Sequence, residues 1–296
     1  MSINKKKQSS KFVLGTAQFG GGYGPRKNNE IVTNSEFNKI VGFVKKKKIN
    51  FLDTARSYGS CEKRLSFKNL KKFNVITKIL VPHNSIKNPE IWIRSQIKEI
   101  LKNLNLKKIY GVLFHNSNFF VNKKKSKYFI ALKKLKKEGL VKKIGFSVYE
   151  PKELKYLMKY YSMDIVQLPY SIADRRFDEQ NCFKLLKEQN IEIYVRSIFL
   201  QGLLLYNYNS IPKKFKKYEN KWKSWRIWLK KNNISPIDAC LNFVMLNKNI
   251  DKIVVGVHNL KQLKQIASFK KKKIIYPKFF PIKNKKIIDP RTWKVI

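Results

Sequence analysis

The chain has 296 residues and a mass of 35.1 kDa, and sets 65 Lys and Arg against 19 Asp and Glu for a formal net charge of +46. No stretch approaches the ~18 uninterrupted apolar residues of a membrane helix, and the opening MSINKKKQSSKFVLG has no apolar core of the signal-peptide kind, so a soluble cytoplasmic protein without a membrane partner is expected. Cys61, Cys182 and Cys240 are far apart and form no CxxC pair, which argues against a disulfide framework or a zinc site.

The charge by itself would suggest a polyanionic ligand. Of the 65 basic residues, however, 56 are Lys and nine are Arg, and recognition of phosphates and guanine edges favours the Arg fork. The lysines run from end to end, as in KKKK at 45–48 and at 270–273, among many Asn and Ile. A solvated basic surface with no specific nucleic-acid partner is therefore expected.

In chain order, the first apolar, β-branched run is KFVLGTA (11–17), followed by Thr33 and Glu36, a capping box ahead of Phe37, Ile40, Val41 and Val44 at helical spacing. INFLDT (49–54) and NVITKI (74–79) come next, and then Asn88-Pro89 opens a helix with Ile93, Ile97, Ile100, Leu101 and Leu104 on one face. YGVLFH (110–115) precedes a helix whose end, ALKKLKKEG, places Gly139 where a left-handed residue is needed. KKIGFSV (142–148) leads to a helix start at Pro151, and DIVQLPY (164–170) and IEIYVRSI (191–198) follow. Ser235-Pro236 begins a further helix, KIVVGV (252–257) is the eighth run, and Asn259 caps a helix carrying Leu260, Leu263 and Ile266. Nearly continuous hydrophobicity marks strands buried on both faces. Eight such βα units predict an α/β protein, a (β/α)8 TIM barrel forming a single domain over residues 1–296.

Active sites of such barrels lie at the C-terminal strand ends. The second strand ends in Asp53 and leads to Tyr58, the third ends in Lys78 and the fourth in His115. Each has an ordinary structural explanation on its own: a turn-capping Asp, an amphipathic rim Tyr, one of 56 lysines, a core His. At four successive positions of one rim they read as a reaction centre.

The motifs LGTAQFGGGYG (14–24), FLDTARSYGSCE (51–62), VITK (75–78), LFHN (113–116), GLVKKIGFSVYEPKEL (139–154), VQLPYSIADRR (166–176), RSIFLQGLLL (196–205) and VVGVHNLKQL (254–263) resemble, in order, those of the aldo-keto reductases, barrel enzymes that reduce carbonyls with a nicotinamide cofactor. The chemistry suits the residues: carbonyl reduction needs a hydride on carbon and a proton on oxygen, and a cation such as Lys78 beside a Tyr would lower its pKa from ~10. The resemblance implies that Tyr58 donates the proton, Lys78 activates it, Asp53 partners Lys78, and His115 orients the substrate oxygen or relays a proton.

The stretch GTAQFGGGYG fits neither a Walker loop nor a GxGxxG fingerprint. The resemblance instead implies NADP or NAD lying extended across the barrel mouth, with Ser147 and Gln167 on the carboxamide. The loop from Phe199 through Gln201 and Gly202 to Leu203 would lie near the pyrophosphate, and the helix opening at Asn259 would take the adenosine end. Arg196 and Ser197 stand where many relatives stack an aromatic on the nicotinamide, and Ser171 where an Asn is frequent. Gly256, Val257, His258 and Asn259 replace the pattern that grips the NADP phosphate, with Lys261 the nearest cation, so the choice of nucleotide stays open.

Residues 203–234 form the longest interval between strands and hold Tyr206, Tyr208, Trp222, Trp225 and Trp228, which either face the active site or pack a helix on the barrel. Two motifs, RSIFLQGLLL and LGTAQFGGGYG, look most like reductases of sugar and surface-polysaccharide pathways, implying a sugar-derived small-molecule carbonyl. Three functions remain: an NAD(P)H-dependent carbonyl reductase, a non-catalytic nucleotide-binding barrel acting as sensor or partner subunit, and a basic polyanion-binding protein. The intact Asp53, Tyr58, Lys78 and His115 set favours the first.

Overall fold

The computed structural model describes residues 10–21, 31–82, 86–121, 126–272, 274–278 and 280–293. Eight parallel strands, β1 (Phe12–Gly15), β2 (Phe51–Asp53), β3 (Asn74–Ile79), β4 (Ile109–Phe114), β5 (Val141–Ser147), β6 (Ile165–Pro169), β7 (Glu192–Arg196) and β8 (Lys252–Gly256), pair in sequential order and close into a barrel. Closure is made by β1 and β8, with Phe12 opposite Ile253 and Gly15 opposite Gly256. Each strand coincides with one of the eight apolar runs, β4 and β5 starting one residue ahead of theirs, because a strand covered by helices outside and by side chains inside has no polar face to show. This is the expected (β/α)8 barrel.

The helices between strands begin where their caps predict. Asn88 Oδ1 accepts from the N–H groups of Glu90 and Ile91 at 3.1 Å, opening helix Pro89–Leu104, whose Ile93, Ile97, Ile100 and Leu104 are buried. Ser235 and Asn259 cap helices Pro236–Leu246 and Leu260–Ala267 through Asp238 N–H (3.0 Å) and Gln262 N–H (2.9 Å). Gly139, at φ 78°, ends helix Lys127–Lys137. The box at Thr33 differs in one respect. Thr33 accepts from Glu36 N–H at 3.3 Å, but the Glu36 carboxylate accepts from Leu260 N–H, tying the first full helix, Asn34–Lys46, to the last one before the tail.

Strand alternation divides the apolar residues into two sets. Phe12 and Leu14, Leu52, Val75, Val112 and Phe114, Ile144 and Phe146, Val166 and Leu168, Ile193 and Val195, and Ile253 and Val255 face the helices in one large cluster. Val13, Phe51, Ile76, Leu113, Ile165 and Tyr194, joined by Val254, form a separate cluster inside the barrel. That inner layer plugs the barrel and is the floor on which the site rests.

Candidate active site

Two residues beyond the inner layer, the same parity brings up Gly15 on β1, Asp53 on β2, Lys78 on β3, His115 just past β4, Ser147 on β5, Gln167 on β6, Arg196 on β7 and Gly256 on β8. Every candidate that lies on a strand, together with His115 just past β4, therefore shares one ring at the C-terminal end, whereas Ser197, directly past β7, falls outside it. Six members are polar; the two glycines sit side by side in register on β1 and β8.

The centre of the ring is tightly bonded. Lys78 Nζ donates to Asp53 Oδ2 at 2.6 Å, to the Thr54 carbonyl at 3.1 Å and to Tyr58 Oη at 3.3 Å. Gln167 Nε2 donates to the other Asp53 oxygen at 2.7 Å, so the carboxylate is fixed from two sides. Lys78, Asp53 and Tyr58 are all buried. Tyr58 comes not from a strand but from the turn after β2, which rests on the short helix Ala17–Gly20. A Cβ on Gly20 would stand 1.5 Å from the Tyr58 carbonyl oxygen, and Gly59 takes φ 52°, so both glycines are needed for this approach. The ring of Tyr58 meets that of His115 edge-on, with centroids 6.1 Å apart.

Burial pushes the Tyr58 phenol well above its ordinary pKa, with the Asp53 carboxylate adding to the rise and the Arg196 cation opposing it. The expected lowering by Lys78 does not prevail, because burial of the phenol outweighs it and the lysine's charge is met at 2.6 Å by Asp53. Burial likewise drives His115 down to about 3, helped by the charges of Lys78 and Arg196, so it is a neutral imidazole at physiological pH. Its Nδ1 lies 3.2 Å from Ser57 Oγ. If that hydroxyl donates, Nε2 carries the proton and is the donor left for a ligand.

Several features fit a nicotinamide nucleotide. Ser147 Oγ is buried with no hydrogen-bond partner, an orphan hydroxyl beside Gln167 in register. The backbone after β7 holds Ser197, Leu200, Gln201 and Gly202 at φ 60°, 49°, 54° and 87°, a concentration of left-handed residues that is costly unless the loop has a task. Phe199 is half-buried in this loop, whereas Leu203 is buried and offers only its backbone. Gly256 leaves space that the amide of Gln18 fills, since a Cβ there would lie 2.7 Å from Gln18 Oε1. His258 and Asn259 are engaged at the start of helix Leu260–Ala267, where His258 N–H donates to Gln262 Oε1 at 2.8 Å and Glu36 takes the Leu260 N–H. Ser171 completes a local turn, accepting from Ala173 N–H and Asp174 N–H at 3.2 and 3.0 Å. Gly22 and Gly24 of the glycine-rich stretch lie outside the described residues.

The tryptophans of 203–234 take the structural alternative. Trp222 and Trp225 are buried, donating to the carbonyls of Phe215 and Leu204 at 3.0 and 3.1 Å, and Trp225 stacks on Trp228 and Phe280. A different segment reaches the site: the tail, through a short helix (Lys285–Ile288) and a turn (Pro290–Thr292), brings Arg291 to a pocket shared with Ser57, His115, Asn116, Asn118 and Tyr149. Tyr149, Arg291, Ser57 and Gln18 were not anticipated from sequence, and Glu36 was read only as half of a capping box. Only Tyr149, two residues past Ser147, carried a positional hint.

A ring of buried Asp53, Lys78, Ser147 and Gln167 with half-buried His115 and Arg196, on the C-terminal end of a (β/α)8 barrel, defines a class of enzyme architecture. The aldo/keto reductase family model matches residues 11–274, and the chain belongs to that family. It is an NAD(P)-dependent carbonyl oxidoreductase. Among solved structures, an aldo-keto reductase from Bacillus halodurans in its holo form is similar at 19% identity, over 97% of this chain and 93% of that one, with a TM-score of 0.70. A glycerol dehydrogenase from Gluconobacter oxydans is similar at 18% identity, over 93% and 90%, with a TM-score of 0.68. At such identities the likeness is one of fold. No curated protein sequence matches significantly. Among the described residues, no helix is long and apolar enough to cross a membrane.

Proposed function

We propose that the protein reduces an aldehyde or ketone to an alcohol with NADPH or NADH, Tyr58 giving the proton to the carbonyl oxygen. The observation that carries this reading is the buried chain from Asp53 through Lys78 Nζ to Tyr58 Oη, at 2.6 and 3.3 Å, in the ring that also holds His115. The bound nicotinamide supplies the hydride. Ser147 and Gln167 would hold its carboxamide, the 197–203 loop its pyrophosphate and the Asn259 region its adenosine.

The high pKa of Tyr58 suits the role. A phenol that keeps its proton across the neutral range is present in the donating form whenever substrate arrives. The group it protonates is the oxyanion formed as hydride reaches the carbonyl carbon, so the proton is donated as negative charge develops on that oxygen. Lys78, already within reach of Oη, stabilises the phenolate left behind, and Asp53 keeps the lysine in place. Neutral His115 donates from Nε2 to the carbonyl oxygen and sets its direction without competing as a charge.

A sugar-derived carbonyl is supported by the wording of RSIFLQGLLL and by a rim rich in hydroxyl and amide groups, including Ser57, Asn116 and Asn118. A nucleotide-binding barrel without catalysis would have no use for Tyr58 bonded to a buried lysine. The test is Tyr58→Phe, assayed for cofactor affinity and for turnover of a panel of aldehydes. Affinity within about twofold of wild type with turnover reduced by ~10²- to 10⁴-fold is expected. Turnover at the wild-type rate would remove Tyr58 from the mechanism.

A further inference from the structure

Arg196 closes β7 and belongs to the ring of site residues, but its charge is handled differently from the others. Lys78 is matched by Asp53. Arg291, at the rim, is matched by Asp289, which accepts from its Nε at 2.9 Å and its Nη2 at 2.5 Å. Arg196 has no carboxylate partner among the described residues; the one side-chain hydrogen bond of its guanidinium there runs from Nη2 to the Val148 carbonyl at 3.1 Å. An arginine has five N–H donors, so most of this guanidinium is left to a ligand.

The side chain is nevertheless fixed. Its guanidinium carbon lies 4.1 Å from the centroid of the Tyr149 ring, and that of Arg291 lies 3.5 Å from the same centroid, so the tyrosine is flanked by two cations. Arg196 therefore leans across β6 to the β5 loop, toward the pocket that Tyr149 and Arg291 share with His115, Ser57, Asn116 and Asn118. Its charge reaches both Tyr58 and His115. Among the described residues the one carboxylate bordering this pocket, Glu153, accepts from Ser117 Oγ at 2.6 Å and from Tyr149 N–H at 2.8 Å.

Unpaired lysines on the surface of so basic a chain cost nothing, because water solvates them. A half-buried, stacked guanidinium is partly desolvated, and a lone cation in that setting is unfavourable until an anion arrives. Resting on the carbonyl-reductase reading above, we infer that the substrate carries a carboxylate or phosphate group, bound by Arg196 with Arg291 beside it, while its carbonyl lies at Tyr58 and His115. Of the two anions, both present the planar or tripodal oxygens that the guanidinium fork matches.

The experiment compares substrates that share a reacting carbonyl and differ in the anion: 4-oxobutanoate against butanal, and glyceraldehyde 3-phosphate against glyceraldehyde, with cofactor-loaded wild type, Arg196→Gln and Arg196→Lys. In wild type, kcat/KM for one anionic member exceeds that of its neutral partner by about tenfold or more, and the pair that shows it identifies carboxylate or phosphate. In Arg196→Gln that ratio collapses toward one, chiefly through KM, and Arg196→Lys restores part of it. The ratio cancels any loss common to both substrates. A wild-type ratio near one, or a ratio untouched by Arg196→Gln, overturns the inference. Binding of 4-hydroxybutanoate and glycerol 3-phosphate is titrated separately against butanol and glycerol. An enzyme that reduces neutral aldehydes but does not prefer the anionic ligands overturns this inference alone. A protein that binds the anions through Arg196 and reduces nothing overturns the reductase reading, leaving only the anion site at Arg196 standing.

Discussion

Along β2, Phe51 and Asp53 face the same barrel interior one residue apart, yet Phe51 packs edge-on against Tyr110 at 5.1 Å while Asp53 holds a buried lysine at 2.6 Å. The same contrast runs around the barrel, between Ile76 and Lys78, Leu113 and His115, Ile165 and Gln167, and Tyr194 and Arg196. The lower layer is apolar and close-packed, gaining its stability from area removed from water. The upper layer is polar, with His115 and Arg196 only half-buried, and a buried polar group there is costly unless bonded, as Asp53 is; Ser147 Oγ has no partner among the described residues. One period-2 pattern thus builds an apolar floor and a polar ring above it by changing chemistry over two residues of the strand.

The comparison is broken most severely at Lys78. Lys78→Met strands Asp53 in a buried site, with an expected loss of ~3–5 kcal/mol in denaturant unfolding and of ~10²- to 10⁴-fold in turnover. Adding Asp53→Leu should recover much of the stability and none of the turnover. A double variant with both restored would mean that the upper layer is structural. Leu113→Ala, one layer down, should reverse the balance, costing ~2–5 kcal/mol of stability while leaving kcat within a few-fold of wild type. Unfolding and steady-state kinetics on the same preparation distinguish the layers.

A smaller effect separates them by pH. The folded pKa of His115 is about 3 against an ordinary 6.5, so between those values the unfolded chain binds a proton that the folded barrel refuses. Its contribution is fully present above pH 6.5 and is lost as the pH falls toward 3, at up to ~1.4 kcal/mol per pH unit. His115→Asn should flatten the rise of unfolding free energy from pH 4 to 6 by about that slope, whereas Leu113→Ala should lower stability equally at both ends. Urea titrations at three pH values check it.

Much of this arrangement was readable in advance, for a physical reason. Strands covered on both faces must be continuously apolar, so the strand ends could be read from the sequence and put Asp53, Lys78 and His115 on one rim, whereas Ser147, Gln167 and Arg196 were singled out by the family resemblance alone. What periodicity does not encode is contact between distant loops. The tail's helix Lys285–Ile288 has only four residues, too few for an amphipathic signal, so the arrival of Arg291 over Tyr149 could not be foreseen. Glu36 looked like half of a capping box because the local motif was intact, yet tertiary packing directed its carboxylate to Leu260. The tryptophans at spacing three fitted either a ligand-facing or a packing face, and only their buried bonds to Leu204 and Phe215 decide between them. The balance at Tyr58 was misjudged for a similar cause: the proximity of Lys78 was legible, the depth of burial was not.

The central claim, that the polar ring is a nicotinamide-dependent reduction site, is tested most directly by titrating the protein and its Ser147→Ala variant with NADH and NADPH at low and high salt. Saturable binding of at least one nucleotide that survives high salt, and weakens by about fivefold in Ser147→Ala as the orphan hydroxyl is removed, is the predicted result. Absence of saturation, or binding that salt abolishes equally in both proteins, would assign the nucleotide to the lysine-rich surface and contradict the account.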